Sequence, residues 1–96
     1  MTFDEDWLVA CLSRHDVEKL IDCGAPWDEY SPEAEAALPL LLKAMNAGMC
    51  LDILEQTWDL MFGNEHVDRK FLEPIAREVW QHLCACREEQ RRARKS

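Results

Sequence analysis

Apolar side chains recur along this chain at steps of three and four residues, and no segment alternates at a period of two. The first spacing lines one face of a helix; the second would line one face of a strand. The pattern therefore predicts an all-α protein, a compact bundle of four to five helices. Its clearest stripe is Leu72, Ile75, Ala76, Val79, Leu83 and Cys86, with Trp80 on the edge and Arg77, Glu78 and Gln81 pointing outward. That stripe predicts a long C-terminal amphipathic helix over about 73–92. Starting it near Glu73 places Pro74 in the first turn, where a missing N–H is tolerated.

The longest apolar run lies between Ser31 and Ala47. Ser31, Pro32 and Glu33 fit an N-cap, a proline at the first helical position and an acid at the positive end of the helix dipole. At 100° per residue, Ala36, Ala37, Leu38, Leu40, Leu41 and Leu42 pass right round the axis. This predicts a central helix over about 32–47, buried on all sides. A membrane span needs about 20 apolar residues, more than this run supplies. Pro39 removes a hydrogen bond to Glu35 and crowds its carbonyl, so a kinked single helix is expected in preference to two short ones. Asn46 to Gly48 reads as its end.

Before this element, Thr2 and Glu5 have capping-box spacing and predict a first helix over roughly 3–12. Val17, Leu20 and Ile21 form a second apolar set that would point nearly opposite to Trp7, Leu8, Cys11 and Leu12 in one continuous helix. Ser13 followed by Asp16 looks like a fresh N-cap. A break near Ser13 and a second short helix to about Asp22 are therefore expected, with Gly24 as a left-handed C-cap. After the central helix, Met49 to Phe62 carries Met49, Ile53, Leu54, Thr57, Trp58, Leu60 and Met61 over a broad face. Asp52, Glu55 and Asp59 form a narrow acidic stripe beside it. Gly63 and Asn64 stop this helix, and residues 65–70 read as polar, with one short helical turn at most.

The string Gly24-Ala25-Pro26-Trp27-Asp28-Glu29-Tyr30-Ser31-Pro32-Glu33 resembles the acidic turn preceding a helix in small all-helical bacterial proteins of unknown function. The resemblance covers about a third of the chain; it supports the fold and adds no site residue. A bacterial or phage-encoded protein is expected separately.

Length and charge sharpen this picture. Ninety-six residues support one small core. Residues 1–86 read as a single helical domain and 87–96 as a basic C-terminal tail, either an extension of the last helix or frayed. The net charge is −8; the tail holds five basic and two acidic side chains (+3), which leaves six basic and 17 acidic ones on the rest (−11). An acidic body repels a nucleic-acid backbone and favours a basic protein partner. The N-terminal MTFDED lacks the features of a secretory leader, and five cysteines is an odd number, so reduced thiols and a cytoplasmic location are expected. No membrane association is expected.

The candidate chemistry is sparse. His82, Cys84 and Cys86 look like metal ligands in text, but on a helix Cys84 is turned by about 200° from the other two. His15 beside Asp16, and His66 near Glu65 and Asp68, read as exposed polar residues, because neighbours in a helix do not face one another. Asp28, Glu29, Glu33 and Glu35 lack the spacing of a calcium loop and read as a solvated helix start. Phosphate-loop, dinucleotide and nucleophile-elbow patterns are missing. No catalytic residue, metal or cofactor is assigned, and an enzyme is not expected.

What remains is a surface. Trp7, Trp27, Trp58 and Trp80 are many indoles for a bundle of this size, and a partly exposed tryptophan beside acids suits an interface. Trp27, Asp28 and Glu29 in the turn, with Asp52, Glu55, Trp58 and Asp59 on the following helix, are the expected protein-binding residues. The expected class is a non-enzymatic binding module of immunity-protein, antitoxin or phage-inhibitor type that blocks a basic site on a partner protein. The alternative is a homo-oligomeric structural or regulatory module, a homodimer for instance, associating through its C-terminal helix.

Overall fold

A computed structural model describes residues 2–16, 23–24, 29–62 and 69–95. Four helices account for most of them: α1 (Glu5–His15), α2 (Ser31–Leu41), α3 (Ala47–Phe62) and α4 (Arg69–Lys95). Among the described residues there is no strand, and no helix is long and apolar enough to cross a membrane. The short helix expected to end near Asp22, the loop residues Trp27 and Asp28, and the polar stretch after Phe62 lie outside the described residues.

The helices pack in a closed circuit. The most extensive contact is α3 on α4; α3 also packs on α2, α2 on α1, and α1 closes back on α4. The predicted stripe of α4 supplies one wall of the core, with Leu72, Ile75, Ala76, Val79, Leu83 and Cys86 all buried. Leu8, Cys11 and Leu12 of α1, Ala34, Ala37 and Leu41 of α2, and Cys50, Leu54 and Trp58 of α3 supply the others. Alanines at 34 and 37 let α2 approach its neighbours closely, while the leucines fill the spaces between them.

Helix starts and stops differ from the sequence expectation in instructive ways. The N-cap of α1 is Asp4, whose carboxylate accepts from the Trp7 backbone N–H at 2.9 Å. The Thr2 side chain is not the cap; its carbonyl instead accepts from His82 Nε2 at 2.9 Å. Nor does α1 break near Ser13. It runs to His15 and ends at Asp16, which adopts a left-handed conformation (φ 46°, ψ 51°) that aspartate tolerates better than most residues. Gly24 takes the left-handed conformation expected of it, at φ 97°.

The central helix is shorter and wetter than predicted. It passes Pro39 as one helix but ends at Leu41, where Lys43 and Ala44 N–H groups bond back to Leu40 and Leu41 in a tightened last turn. Asn46 does not end it: its side chain accepts from the Met49 N–H at 2.8 Å and starts α3. Leu40 and Leu42 are each 48% exposed, so the helix is not buried on all sides. The apolar run goes round the axis, but neighbours cover only one side of it. The helix start falls at Ser31, with Tyr30 in the N-cap position.

The last helix begins a full turn earlier than predicted and ends later, at Lys95. Pro74 therefore lies in its second turn, where it removes one backbone hydrogen bond. The 27-residue helix absorbs that loss because its buried stripe continues on both sides.

Tyr30 ties three helices together. Its ring is fully buried, its centroid lies 6.3 Å from that of Trp58 on α3, and its hydroxyl donates to Asp16 Oδ1 at the end of α1 at 2.7 Å. Replacing Tyr30 by Phe removes only the hydrogen bond and should cost about 1 kcal/mol. Replacing it by Ala also leaves a cavity and should cost about 3–5 kcal/mol. Urea unfolding of both variants checks this; equal losses would mean that the hydroxyl, and not the ring, holds the junction.

Candidate functional site

Of the predicted binding residues, Glu29, Asp52, Glu55, Trp58 and Asp59 fall within the described residues. Glu29 is exposed in the turn before α2. Asp52 and Asp59 lie exposed on α3, with Glu55 half-buried between them, so the acidic stripe exists. It is not an unopposed charge: Arg69 at the start of α4 reaches across to Asp52 Oδ1 at 3.0 Å and Glu55 Oε2 at 2.5 Å. Trp58 is not a partly exposed neighbour of that stripe. It is 3% exposed and belongs to the core beside Tyr30. Its position on the stripe edge misled because α2 and Tyr30 cover that edge, which the pattern of α3 alone does not reveal.

Among the described residues, the partly exposed indoles are Trp7 and Trp80. Trp7 stacks flat on His82, with ring centroids 4.0 Å apart and planes 4° from parallel, and Phe3 closes the group at 5.4 Å from Trp7. The guanidinium of Arg87 sits 5.7 Å from the Trp80 ring centroid. These contacts use both indoles within the chain. On α4, Cys86 is buried and 3.6 Å from His82 Nε2, whereas Cys84 is exposed, the separation that helical geometry predicts.

A cluster of a different kind forms where α1 meets α4. Cys11 and His15 are four residues apart on α1, so both project to one side. Opposite them stands Glu78 of α4. Glu78 Oε2 accepts from His15 Nε2 at 2.7 Å, and Glu78 Oε1 pairs with Arg14 Nη2 at 2.6 Å. The Cys11 sulfur, a ring nitrogen of His15 and a carboxylate oxygen of Glu78 all lie within 4.8 Å of one another. Cys11 is fully buried; His15 and Glu78 are about a quarter to a third exposed, at 27% and 31% of their side chains.

The electrostatics of the cluster follow from this geometry. Burial alone would push the Glu78 carboxyl up, but hydrogen bonds from His15 and Arg14, with the Arg14 charge, hold it below its ordinary value. Burial, reinforced by the charge of Glu78, pushes the Cys11 thiol from an ordinary 9.0 up to about 12. An unassisted Cys11 is therefore a poor nucleophile at neutral pH, in spite of the nearby imidazole.

Sequence reasoning missed this cluster. It treated His15 as exposed because Asp16 cannot face it, which is true, but the partner is Glu78, 63 residues away. The signal that was present is the Cys11–His15 spacing on one helix face. Comparison with protein-family models, curated proteins and solved structures gives no match for this chain.

Two of the five thiols, Cys23 and Cys84, are exposed, while Cys11, Cys50 and Cys86 are buried. A disulfide thiol reagent at pH 8 should label Cys23 and Cys84 promptly. Cys11 should resist until the chain unfolds, because a pKa near 12 in place of 9.0 leaves about a thousandfold less thiolate. As a raised folded-state value, it contributes stability that is fully present below pH 9.0 and is lost as pH climbs towards about 12. Peptide mapping after timed labelling checks this, and prompt labelling of Cys11 in the folded chain would contradict the burial described here.

Proposed function

We propose that this chain is a small non-enzymatic protein-binding module that blocks a basic site on a partner protein, in the manner of an immunity protein, an antitoxin or a phage-encoded inhibitor. The observation that carries the reading is the exposure of four large apolar side chains within one short segment, from the end of α2 to the start of α3. Leu40 and Leu42 are each 48% exposed, Met45 76% and Met49 38%. Large apolar groups gathered at one corner mark a contact surface more often than singly scattered ones do, and methionine adapts its shape to a partner.

Charge supports the same reading. Residues 31–62 hold five acidic side chains, Glu33, Glu35, Asp52, Glu55 and Asp59, against the single basic Lys43, a net −4. Glu33 is buried; the others are exposed or half-buried. An acidic half with an apolar corner suits a basic partner: the charge speeds encounter and the apolar contact holds the complex. Asp52 and Glu55 share Arg69, and Asp59, Glu35 and Glu29 add further acidic groups at exposed positions. Trp58 is withdrawn from the surface because it is core.

The homo-oligomeric alternative has less support. The apolar stripe of α4 is already buried against its own bundle, and residues 88–94 beyond it are polar apart from Ala93. Self-association through α4 would have to use those charged turns or Phe71 near its start, which is 64% exposed.

Crosslinking in the native host, compared between the wild-type chain and a Leu42→Ser/Met45→Ser variant, tests the corner directly. Both side chains are exposed, so folding should be unaffected. The partner captured by the wild type should be lost or weakened by about 30-fold or more, the scale of a binding hot spot. With that partner purified, Asp59→Lys should slow association and reduce its salt dependence while the dissociation rate changes little. A partner that binds the double variant as tightly as the wild type would remove the corner from the interface. A chain that sediments as a stable homodimer would favour the alternative.

A further inference from the structure

We propose that Cys11, His15 and Glu78 form a three-ligand site for a divalent transition-metal ion of the zinc class, bridging α1 to α4. Three donor types meet there. Sulfur, imidazole nitrogen and carboxylate oxygen are the groups zinc accepts, and their donor atoms already lie within 4.8 Å of one another. Two come from one helix at a spacing of four residues and the third from a facing helix, an arrangement that lets an ion sit between the elements.

Little movement is needed to admit the ion. Zinc bonds of about 2.0–2.3 Å at tetrahedral angles put ligand atoms roughly 3.3–3.7 Å apart. The His15–Glu78 contact, now 2.7 Å, would open by under about 1 Å, and the sulfur, already within 4.8 Å of both partners, would close by no more than about 1.3 Å. Arg14 holds Glu78 Oε1 at 2.6 Å, which leaves Oε2 as the donor oxygen and fixes the carboxylate's orientation from outside. His15 and Glu78 retain partial exposure, so an ion has a way in from solvent and a water can complete the coordination.

Charge balance favours the bound state. On binding, Cys11 gives up its proton to solvent and His15 coordinates as neutral imidazole. A thiolate and a carboxylate then neutralise the two charges of the ion. Coordination supplies the compensation that burial denies an unliganded Cys11 thiolate. The site also lies where the bundle has least packing to spare: of the four helix pairs in contact, α1 with α4 is the least extensive. A metal staple there would strengthen the weakest join of the circuit, independently of any partner at the α2–α3 corner.

Cobalt(II) titration of the reduced, metal-free full-length chain tests the proposal. The expected result is saturable uptake of one equivalent, with a thiolate-to-cobalt charge-transfer absorption and the intense visible bands of a four-coordinate ion. Zinc should displace the cobalt and raise the melting temperature. Cys11→Ser should abolish the charge-transfer absorption. His15→Gln and Glu78→Gln should each weaken binding at least tenfold, whereas Cys23→Ser/Cys84→Ser and His82→Gln should leave it unchanged. If Cys11→Ser does not fold, His15→Gln, at a partly exposed position, decides. Absence of saturable uptake by the wild type at high micromolar cobalt would overturn the proposal. So would unchanged affinity in His15→Gln, or a charge-transfer absorption that depends on Cys23, Cys84 or His82 instead of Cys11.

Discussion

The buried ring of Tyr30 is the constraint on which the other placements depend. It occupies the N-cap position of α2, where a serine, threonine or aspartate would ordinarily satisfy the first orphan amides. Tyrosine cannot cap in that way, and no side-chain cap bond is made there. The position is instead held by packing beside Trp58 and by the hydroxyl bond to Asp16, itself the left-handed residue that turns the chain away from α1. Local helix-start chemistry has been traded for a tertiary junction. Once that junction is set, α2 must run between α1 and α3, and the remaining face of α3 is left for α4.

The opposite side of the circuit is closed by polar groups. Arg14 and His15, in the last turn of α1, suit the negative end of its dipole and also converge on Glu78. A second polar fastening, His82 on the Thr2 carbonyl under the stacked Trp7 ring, pins the segment before α1 to the same helix. Helix α1 is thus held to α4 at both ends by side chains with precise directional needs, and along its middle by Leu8, Cys11 and Leu12. Directional contacts of this kind fix orientation more than they add stability, since partly exposed pairs contribute little energy.

Much of the fold was legible because periodicity is a local property. The α4 stripe names its own buried residues one by one, and α3 could be bounded to within two residues. Boundaries failed where a residue serves its neighbour in space and not in sequence. Asn46 reads equally well as the end of one helix or the start of the next, and only the Met49 amide decides. Trp58 looked like an edge residue because the covering ring comes from Tyr30, 28 positions earlier. Glu78 looked outward because it lies off the apolar stripe, and its partners lie on α1. The candidate site was therefore the least legible part: each member is unremarkable in its own helix, and the cluster exists only across two of them.

The stripe that makes α4 predictable stops at Cys86, but the helix does not. Residues 88–94 continue it with every side chain in solvent, an arm of about 10 Å at 1.5 Å per residue. Without a buried face, this arm draws its helicity from the turns already formed behind it and from pairs such as Glu88 with Arg92. One continuous helix should thus show two regimes of backbone motion, with amide protection falling turn by turn beyond Arg87.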